Sequence, residues 1–524
     1  DILKGDISQL KLDPEIPDSV KQIRLKKMKA DLKNLKKQIK QKRKDLEMKA
    51  MPPDAAASLL LRPLLSLRKI SLNYTENKAT SVAGFMPQTQ ILGNNNALAA
   101  PGYGFAFGAQ PGDRFFLGTD ATAREAWLDN AAAKGWMSRD TILNQQFTQT
   151  RQSHLDITAS FEPFQDFRID LSVLRDYTQN YSEMFKVTTT DGGFQHLVPM
   201  TMGSYSISFF SLNTFFQKID STGITQTYKQ FETNREIISQ RLGIPGSVYE
   251  NPSDASQNPN YTYGYGPKAQ QVLIPAFLAA YTKSDAHKVG LGLFNKIPIP
   301  NWKITYNGLS KIKWLQNVFT SITLTHAYSS TLTINSYATN LHATDPNTTD
   351  SLNGNYYAAL AIPSIVITEQ FSPLIGIDLT TKNQISAKFN YSKSRTLMVN
   401  FSDYRLIENN STTITIGAGY TIRGLKLPIS IKGKKLRLDN DLKFNLNISY
   451  RDNSVINHLI DNGNPQITSG SKNIIINPTV DYMINNRIDV QFFINYNKTI
   501  PMISTSFPTT NVQGGLNFRI SLAQ

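Results

Sequence analysis

From about residue 146 to the C-terminus, large apolar side chains recur at every second position. Leu155, Ile157, Ala159 and Phe161 alternate with His154, Asp156, Thr158 and Ser160. Ile385, Ala387, Phe389 and Tyr391 alternate with Ser386, Lys388 and Asn390, and Leu442, Phe444, Leu446, Ile448 and Tyr450 with Lys443, Asn445, Asn447 and Ser449. Successive side chains of a strand point to opposite sides, so this period makes strands with one oily and one wet face. The pattern predicts roughly fourteen or fifteen strands bounded by turn residues. Several reach about nine residues, the length of a tilted bilayer crossing.

Alternation alone also fits a soluble sandwich. Three features favour a membrane. The oily face is persistently large and aliphatic or aromatic. The other face carries Asn, Ser, Thr and charges along whole strands. An Arg or Lys facing the bilayer midplane costs ~2–4 kcal/mol, so Arg168, Lys388, Lys443 and Arg519 must point to water if their strands cross. Each has the parity of its polar neighbours. Finally, Tyr391, Tyr420, Tyr450, Tyr482 and Tyr496 stand at or near the end of an apolar series. Tyrosine belongs where acyl chains meet headgroups. The fold class expected is therefore all-β, an antiparallel transmembrane β-barrel with helical insertions. Arg168, Asp170, Lys388, Asn390, Lys443, Asn445, Asn495 and Arg519 are the candidate pore-lining residues.

Composition agrees with this reading. Charged residues make up 18% of the 524-residue chain, below the usual quarter. A mean hydropathy of −0.31 does not argue against a barrel, since half its strand residues face water. The apolar stretch Ala55 to Leu67 is broken by Arg62-Pro63 and falls short of the roughly twenty residues a spanning helix needs. There is no cysteine, which rules out disulfides and thiolate metal sites.

The net charge of +15 is uneven: residues 1–50 hold fifteen Lys/Arg and eight Asp/Glu, a net of +7. Within them Leu25, Met28, Leu32, Leu35 and Ile39 are spaced 3-4-3-4, and Leu46 continues the seam. This predicts a basic helix from about Ser19 to about Lys49, stopped by Met51-Pro52-Pro53. It has no aromatic platform for bases, so no nucleic-acid partner is expected.

The organisation expected is a basic helical segment at 1–50, an irregular region with at least one strand at 51–145, and barrel strands at 146–524. The irregular region holds a strand near Lys69, a loop at 93–112 and a helix at 121–136. The barrel strands are interrupted from Gln217 to Tyr281, with a helical insertion at 226–281 in which helices are expected over Gln226–Leu242 and Lys268–Tyr281. Residues 361–382 are ambiguous. Ser392 to Arg395 and Asn485-Asn486-Arg487 read as tight turns, and 336–360 and 452–472 as long loops. The segments 226–281 and 93–112 are candidates for partner contact, plugging or constriction.

Chemistry-bearing motifs are weak. The histidines His154, His196, His287, His326, His342 and His458 form no HxxxH or HExxH spacing. Ser284-Asp285-Ala286-His287 is too local for a catalytic triad, which is assembled in space. Gly102 to Gly108 lacks the lysine of a phosphate loop. No catalytic residue, metal ligand or cofactor-binding residue is assigned.

The segment Thr413-Ile-Thr-Ile-Gly-Ala-Gly-Tyr-Thr-Ile-Arg-Gly-Leu-Lys-Leu-Pro428 resembles a stretch near the C-terminus of the SprA/Sov family. The basic helix before Met51-Pro52-Pro53 looks similar too. So do Phe85-Met-Pro-Gln88, Pro101-Gly-Tyr-Gly-Phe-Ala-Phe-Gly108 and Gly514-Gly-Leu-Asn-Phe518. That family comprises the outer-membrane translocons of the type IX secretion system in Bacteroidetes, which also serve gliding motility. The resemblance implies the C-terminal portion of a very large single-chain barrel of about 36 strands. Its lumen passes folded cargo proteins with a C-terminal signal. A PorV-type barrel protein stands at a lateral opening and a plug protein at the periplasmic end. The partners implied also include outer-membrane lipid and the remainder of the polypeptide upstream of Asp1, the chain start being read as an internal cut or processed end. The alternatives are a cell-surface adhesin or structural motility protein built of sandwiches, and another outer-membrane transporter barrel such as a TonB-dependent receptor.

Overall fold

In a computed structural model of the chain, the described residues are 18–49, 66–114, 118–217, 224–294, 297–343, 345, 348–431, 434–460, 465–485, 488–503 and 506–520. They fall into two compact units, Asp1–Leu67 and Arg68–Gln524. The first holds helix α1 (Asp18–Lys49), over the span its leucine spacing predicts. Leu25, Met28 and Leu32 are half-buried there, while Leu35 is exposed. The expected Met51-Pro52-Pro53 stop lies outside the described residues, as does most of the Asn485–Arg487 turn.

The second unit is built on one fourteen-stranded sheet. Its strands are β1 (Leu67–Ser81), β2 (Phe147–Phe164), β3 (Phe167–Val187), β4 (Phe194–Ser208), β5 (Asn301–Tyr306), β6 (Phe319–Thr339), β7 (Ser364–Thr381), β8 (Ile385–Asn400), β9 (Arg405–Ile431), β10 (Lys434–Leu459), β11 (Gln466–Asn485), β12 (Ile488–Pro501) and β13 (Thr509–Ile520). The two-residue strand Leu360–Ala361 pairs with β6. From β2 onward the pairs are antiparallel, and the spatial order is β1-β2-β3-β4-β6-β7-β8-β9-β10-β11-β12-β13. The path ends at β1 on one side and β13 on the other, with no pairing between the two among the described residues.

β5 fills the gap in this order. Arg175 of β3 faces Ile207 of β4, and Ser172 faces Asn301 of β5. On the other side, Leu332 of β6 faces Ile207 and Tyr328 faces Trp302. β4 and β5 therefore lie end to end in one strand position. The chain leaves the sheet at Ser208 and returns at Asn301, a wider excursion than the Gln217–Tyr281 break in alternation that holds the expected helical insertion 226–281.

Three helices pack on the sheet: α2 (Ala121–Ala133), α3 (Gln226–Leu242) and α4 (Gln270–Thr282). Asp120 caps α2 by accepting from the Ala123 amide, and Thr225 caps α3 by accepting from the Tyr228 amide, each satisfying an amide with no partner inside the helix. α3 buries Tyr228, Phe231 and Ile238 at helical spacing. α4 is buried all round from Val272 to Tyr281, as expected of a helix apolar on every side. Its Leu273, Ile274 and Phe277 join a core with Tyr205, Ile207, Leu332, Ile334, Ile365, Ile367, Leu397, Val399 and Leu406 of the sheet. Each such side chain contributes about 1.5–3 kcal/mol relative to exposure. α2 covers the neighbouring strands through Leu128 and Ala131, against Phe147, Tyr181 and Phe185.

One expected turn and much of one expected loop are strand instead. β8 runs unbroken through Ser392–Arg395. β10 continues to Leu459 and β11 begins at Gln466, so strand occupies most of the stretch 452–472 expected as a loop. The ambiguous 361–382 stretch is β7, with a register shift between Phe371 and Ile375. These strands outlast their apolar series because neighbouring ladders hold them. A sandwich needs a second large sheet over the apolar face. The other sheets among the described residues have two strands each.

Candidate functional site

The register sorts every alternating residue onto one of two faces. Leu397 and Val399 of β8, beneath the helices, share parity with Tyr391, Phe389, Ala387 and Ile385 lower on the same strand, and β8 pairs with β9 without a break. The helices thus cover only the upper part of the apolar face. Below them the face is bare: Ile416 is 47% exposed, Phe492 43% and Phe518 67%.

This bare band has a row of tyrosines at each edge. At the upper edge Tyr391 of β8 faces Ile414 of β9, Ile414 faces Tyr450 of β10, and Tyr450 faces Ile474 of β11. Tyr496 of β12 lies one rung lower, opposite Ile476. At the lower edge Tyr420 faces Ile385 and Phe444, and Tyr482 faces Leu442 and Val490. Toward β5 to β7 the upper edge is continued by Trp302 stacked on Tyr328, with ring centroids 4.6 Å apart, and by Phe371 5.0 Å from Tyr328. Just above the upper row the same face turns polar, with Lys393, Thr412, Asp452 and Lys472 in successive register.

All eight candidate pore residues lie on the opposite, polar face. Arg168 and Asp170 on β3 pair Nε to Oδ1 at 2.8 Å, and Asp170 also faces Lys303 of β5. Lys388 faces Asp378 of β7, Nζ to Oδ1 3.7 Å. Asn390 faces Gly376 and Thr415. Lys443 faces Asp481, Arg519 faces Asp489, and Asn495 faces Gln513. A hydrogen-bonded ladder crosses four strands: Asn445 Nδ2 and Gln491 Nε2 donate to Asp481 at 3.1 and 2.6 Å, and Asn517 Nδ2 donates to Gln491 Oε1 at 3.3 Å. The partners Lys303, Asp378, Asp481 and Asp489 follow from register between strands, which parity within one strand does not supply. Each of the candidate charges Asp170, Lys388, Lys443 and Arg519 thus stands opposite a charge of the other sign.

A second polar constellation lies under the helices. Arg395 of β8 faces Glu369 of β7, both buried. Arg395 Nε donates to Glu369 Oε1 at 2.6 Å, and its terminal nitrogens donate to the Thr214 carbonyl and hydroxyl, each at 2.8 Å. Ser211 Oγ and Tyr328 OH donate to Glu369 Oε2 at 2.5 and 3.2 Å. The excursion is thereby tied to the sheet within a few residues of leaving it. Complete burial holds the Tyr281 hydroxyl on α4 well above the usual phenol range.

A cavity of about 590 Å³ opens on the polar face between Ser160, Arg168, Asp170, Lys303, Ser329 and Gln370. Another of about 830 Å³ lies at the upper rim, near Gln270, Tyr337, Tyr356 and Tyr404. His154 bonds Asp176 at 2.5 Å, His196 bridges Glu183 and Asp129 at 2.6 and 3.3 Å, and His458 stacks on Tyr228. No group of three or more His, Asp or Glu side chains suited to a metal ion occurs among the described residues. Comparison of the chain with protein-family models and with curated proteins finds no match.

Proposed function

We propose that the bare apolar band faces lipid and the polar face lines a water-filled passage, the chain forming part of the wall of a large outer-membrane β-barrel that conducts proteins. The observation that carries this reading is the bare band edged by tyrosines above and below. From Leu442 to Tyr450, at ~3.3 Å per residue and a tilt of ~40°, the band spans on the order of 20–25 Å, close to the apolar belt of known barrels. In water such a surface is an aggregation liability; in lipid it is solvated. Tyrosine rings at both edges suit two membrane interfaces. Every candidate charge lies on the other face, away from the cost of charge in lipid.

The open ends complete the argument for size. Twelve strand positions at ~4.8 Å make a wall roughly 58 Å wide. Among the described residues neither β1 nor β13 has a partner strand on its outer side; unpaired backbone groups cost several kcal/mol each in hydrocarbon, so on this reading further strands or another protein cover them. The resemblance of Thr413–Pro428 and Gly514–Phe518 to the SprA/Sov translocons then supplies the cargo class: folded proteins with a C-terminal signal, handled with a PorV-type barrel and a plug protein. A polar face of Asn, Ser, Thr and opposed charges offers moving proteins neither a sticky apolar patch nor a net field.

The test is extraction and depletion. The intact protein should require detergent, co-purify with a second, smaller barrel, and on depletion stop secretion of C-terminally signalled cargo. Release by high salt without detergent, or secretion untouched by depletion, rejects the reading.

A further inference from the structure

The bare band is not the same at its two edges. On β11, Lys472 stands immediately above Ile474, opposite Asp452 of β10 and Ile500 of β12. On β12, Lys498 stands one rung lower, opposite Ile474 and immediately above Tyr496. The two lysines are diagonal neighbours on adjacent strands of the apolar face, with Cβ atoms roughly 7–8 Å apart, so both ammonium groups can reach one anion. Lys472 is exposed and Lys498 half-buried; Lys472 has Asp452 opposite it, while Lys498 stands between Ile474 and Thr510 and faces no acid. The nearest acid in the row, Asp452, accepts from the Tyr450 hydroxyl at 3.5 Å. Lys393 shares the level but packs over Phe215 and Phe216, 5.4 and 5.3 Å from their ring centres. At the level of the lower tyrosines the same face carries Tyr482, Val490 and Phe518 on β11 to β13, and β12 and β13 continue it to Ile488 and Ile520, with no lysine or arginine among these residues.

We infer that Lys472 and Lys498, with Tyr450 and Tyr496 beneath them, seat the phosphate of an anionic lipid headgroup in one leaflet, the leaflet on the side of the 460–465 and 502–508 connections. The inference rests on the membrane reading. Charge complementarity and continuity with the apolar band select the occupant: acyl chains lie along Ile474, Ile476 and Phe492 while the phosphate meets the two ammonium groups. On β11 and β12, apolar rungs topped by lysines at one end and not the other match a bilayer whose anionic charge is concentrated in one leaflet.

The experiment places the intact protein in nanodiscs of mixed phosphatidylcholine and phosphatidylglycerol and counts retained lipids by native mass spectrometry. Lys472→Gln/Lys498→Gln should lower phosphatidylglycerol retention about thirtyfold, given the usual contribution of a lysine beside an anionic surface. Lys283→Gln/Lys288→Gln, which removes the same charge at exposed positions after α4, should leave retention unchanged. Equal retention by wild type and the first variant, or an equal fall in both variants, overturns the lysine seat while leaving the membrane reading intact. Failure of the wild-type protein to enter any nanodisc overturns both.

Discussion

Replacing Arg395 by alanine leaves the Glu369 carboxylate buried with only the Ser211 and Tyr328 hydroxyls for partners, and strips Thr214 of two donors. Removing one member of a buried ion pair costs about 3–5 kcal/mol, because the survivor stays desolvated. The loss falls on docking of the excursion, since the ion pair joins two strands but Ser211 and Thr214 belong to the segment leaving them. Amides of α4 should then exchange with deuterium roughly a hundred- to several-thousand-fold faster, at tenfold per 1.4 kcal/mol. Replacing both partners, Glu369→Leu with Arg395→Met, removes the stranded charge; beyond the Thr214 bonds already lost in Arg395→Ala it gives up only the bonds of the Ser211 and Tyr328 hydroxyls to the carboxylate, and leaving a neutral hydroxyl unpaired costs less than leaving a buried charge uncompensated. The double variant should therefore be more protected than Arg395→Ala. Hydrogen exchange followed by mass spectrometry, peptide by peptide over 226–282, reads this directly. Unchanged α4 protection in Arg395→Ala, or a double variant as labile as the sum of its singles, refutes the claim that this pair fastens the helices.

Two further outcomes separate the faces of the sheet. Ile416→Arg and Phe492→Arg should each cost about 2–4 kcal/mol of folding free energy in vesicles, and Asn495→Arg on the polar face much less; urea titration of the reconstituted protein measures both. Because Lys443 stands opposite Asp481, Lys443→Glu should turn a nearly unselective conductance toward cations, seen as a shifted reversal potential across a salt gradient. An unshifted potential removes Lys443 from the lumen.

Legibility in the sequence follows the physics of each region. Leu442–Tyr450 is legible because one face is oily and the other wet at every rung. Gln226–Leu242 is legible because Tyr228, Phe231 and Ile238 keep helical spacing and Thr225 and Gly243 mark its ends. Legibility fails where a strand rises above the bare band. Lys393, Arg395, Asp452 and Ser454 lie on the formerly oily face, so polarity appears on both sides and mimics a turn. β7 is obscured differently: Ile365, Val366 and Ile367 run apolar on both faces, and Pro373 falls at its register shift. The end-to-end arrangement of β4 and β5 depends on β3 and β6, so no local signal marks Ser208 as the exit. The eight polar-face residues are legible from parity alone; the opposite charges facing Asp170, Lys388, Lys443 and Arg519 require the register.

The most direct test uses the absence of native cysteine to place one fluorophore at a time along β10, from Leu442 to Tyr450. Lipid orientation of the apolar face requires quenching by a bilayer-resident agent at 442, 444, 446, 448 and 450, and by a water-soluble agent at 443, 445, 447 and 449. Uniform quenching by the aqueous agent, or shielding of the even positions from both agents, would contradict it.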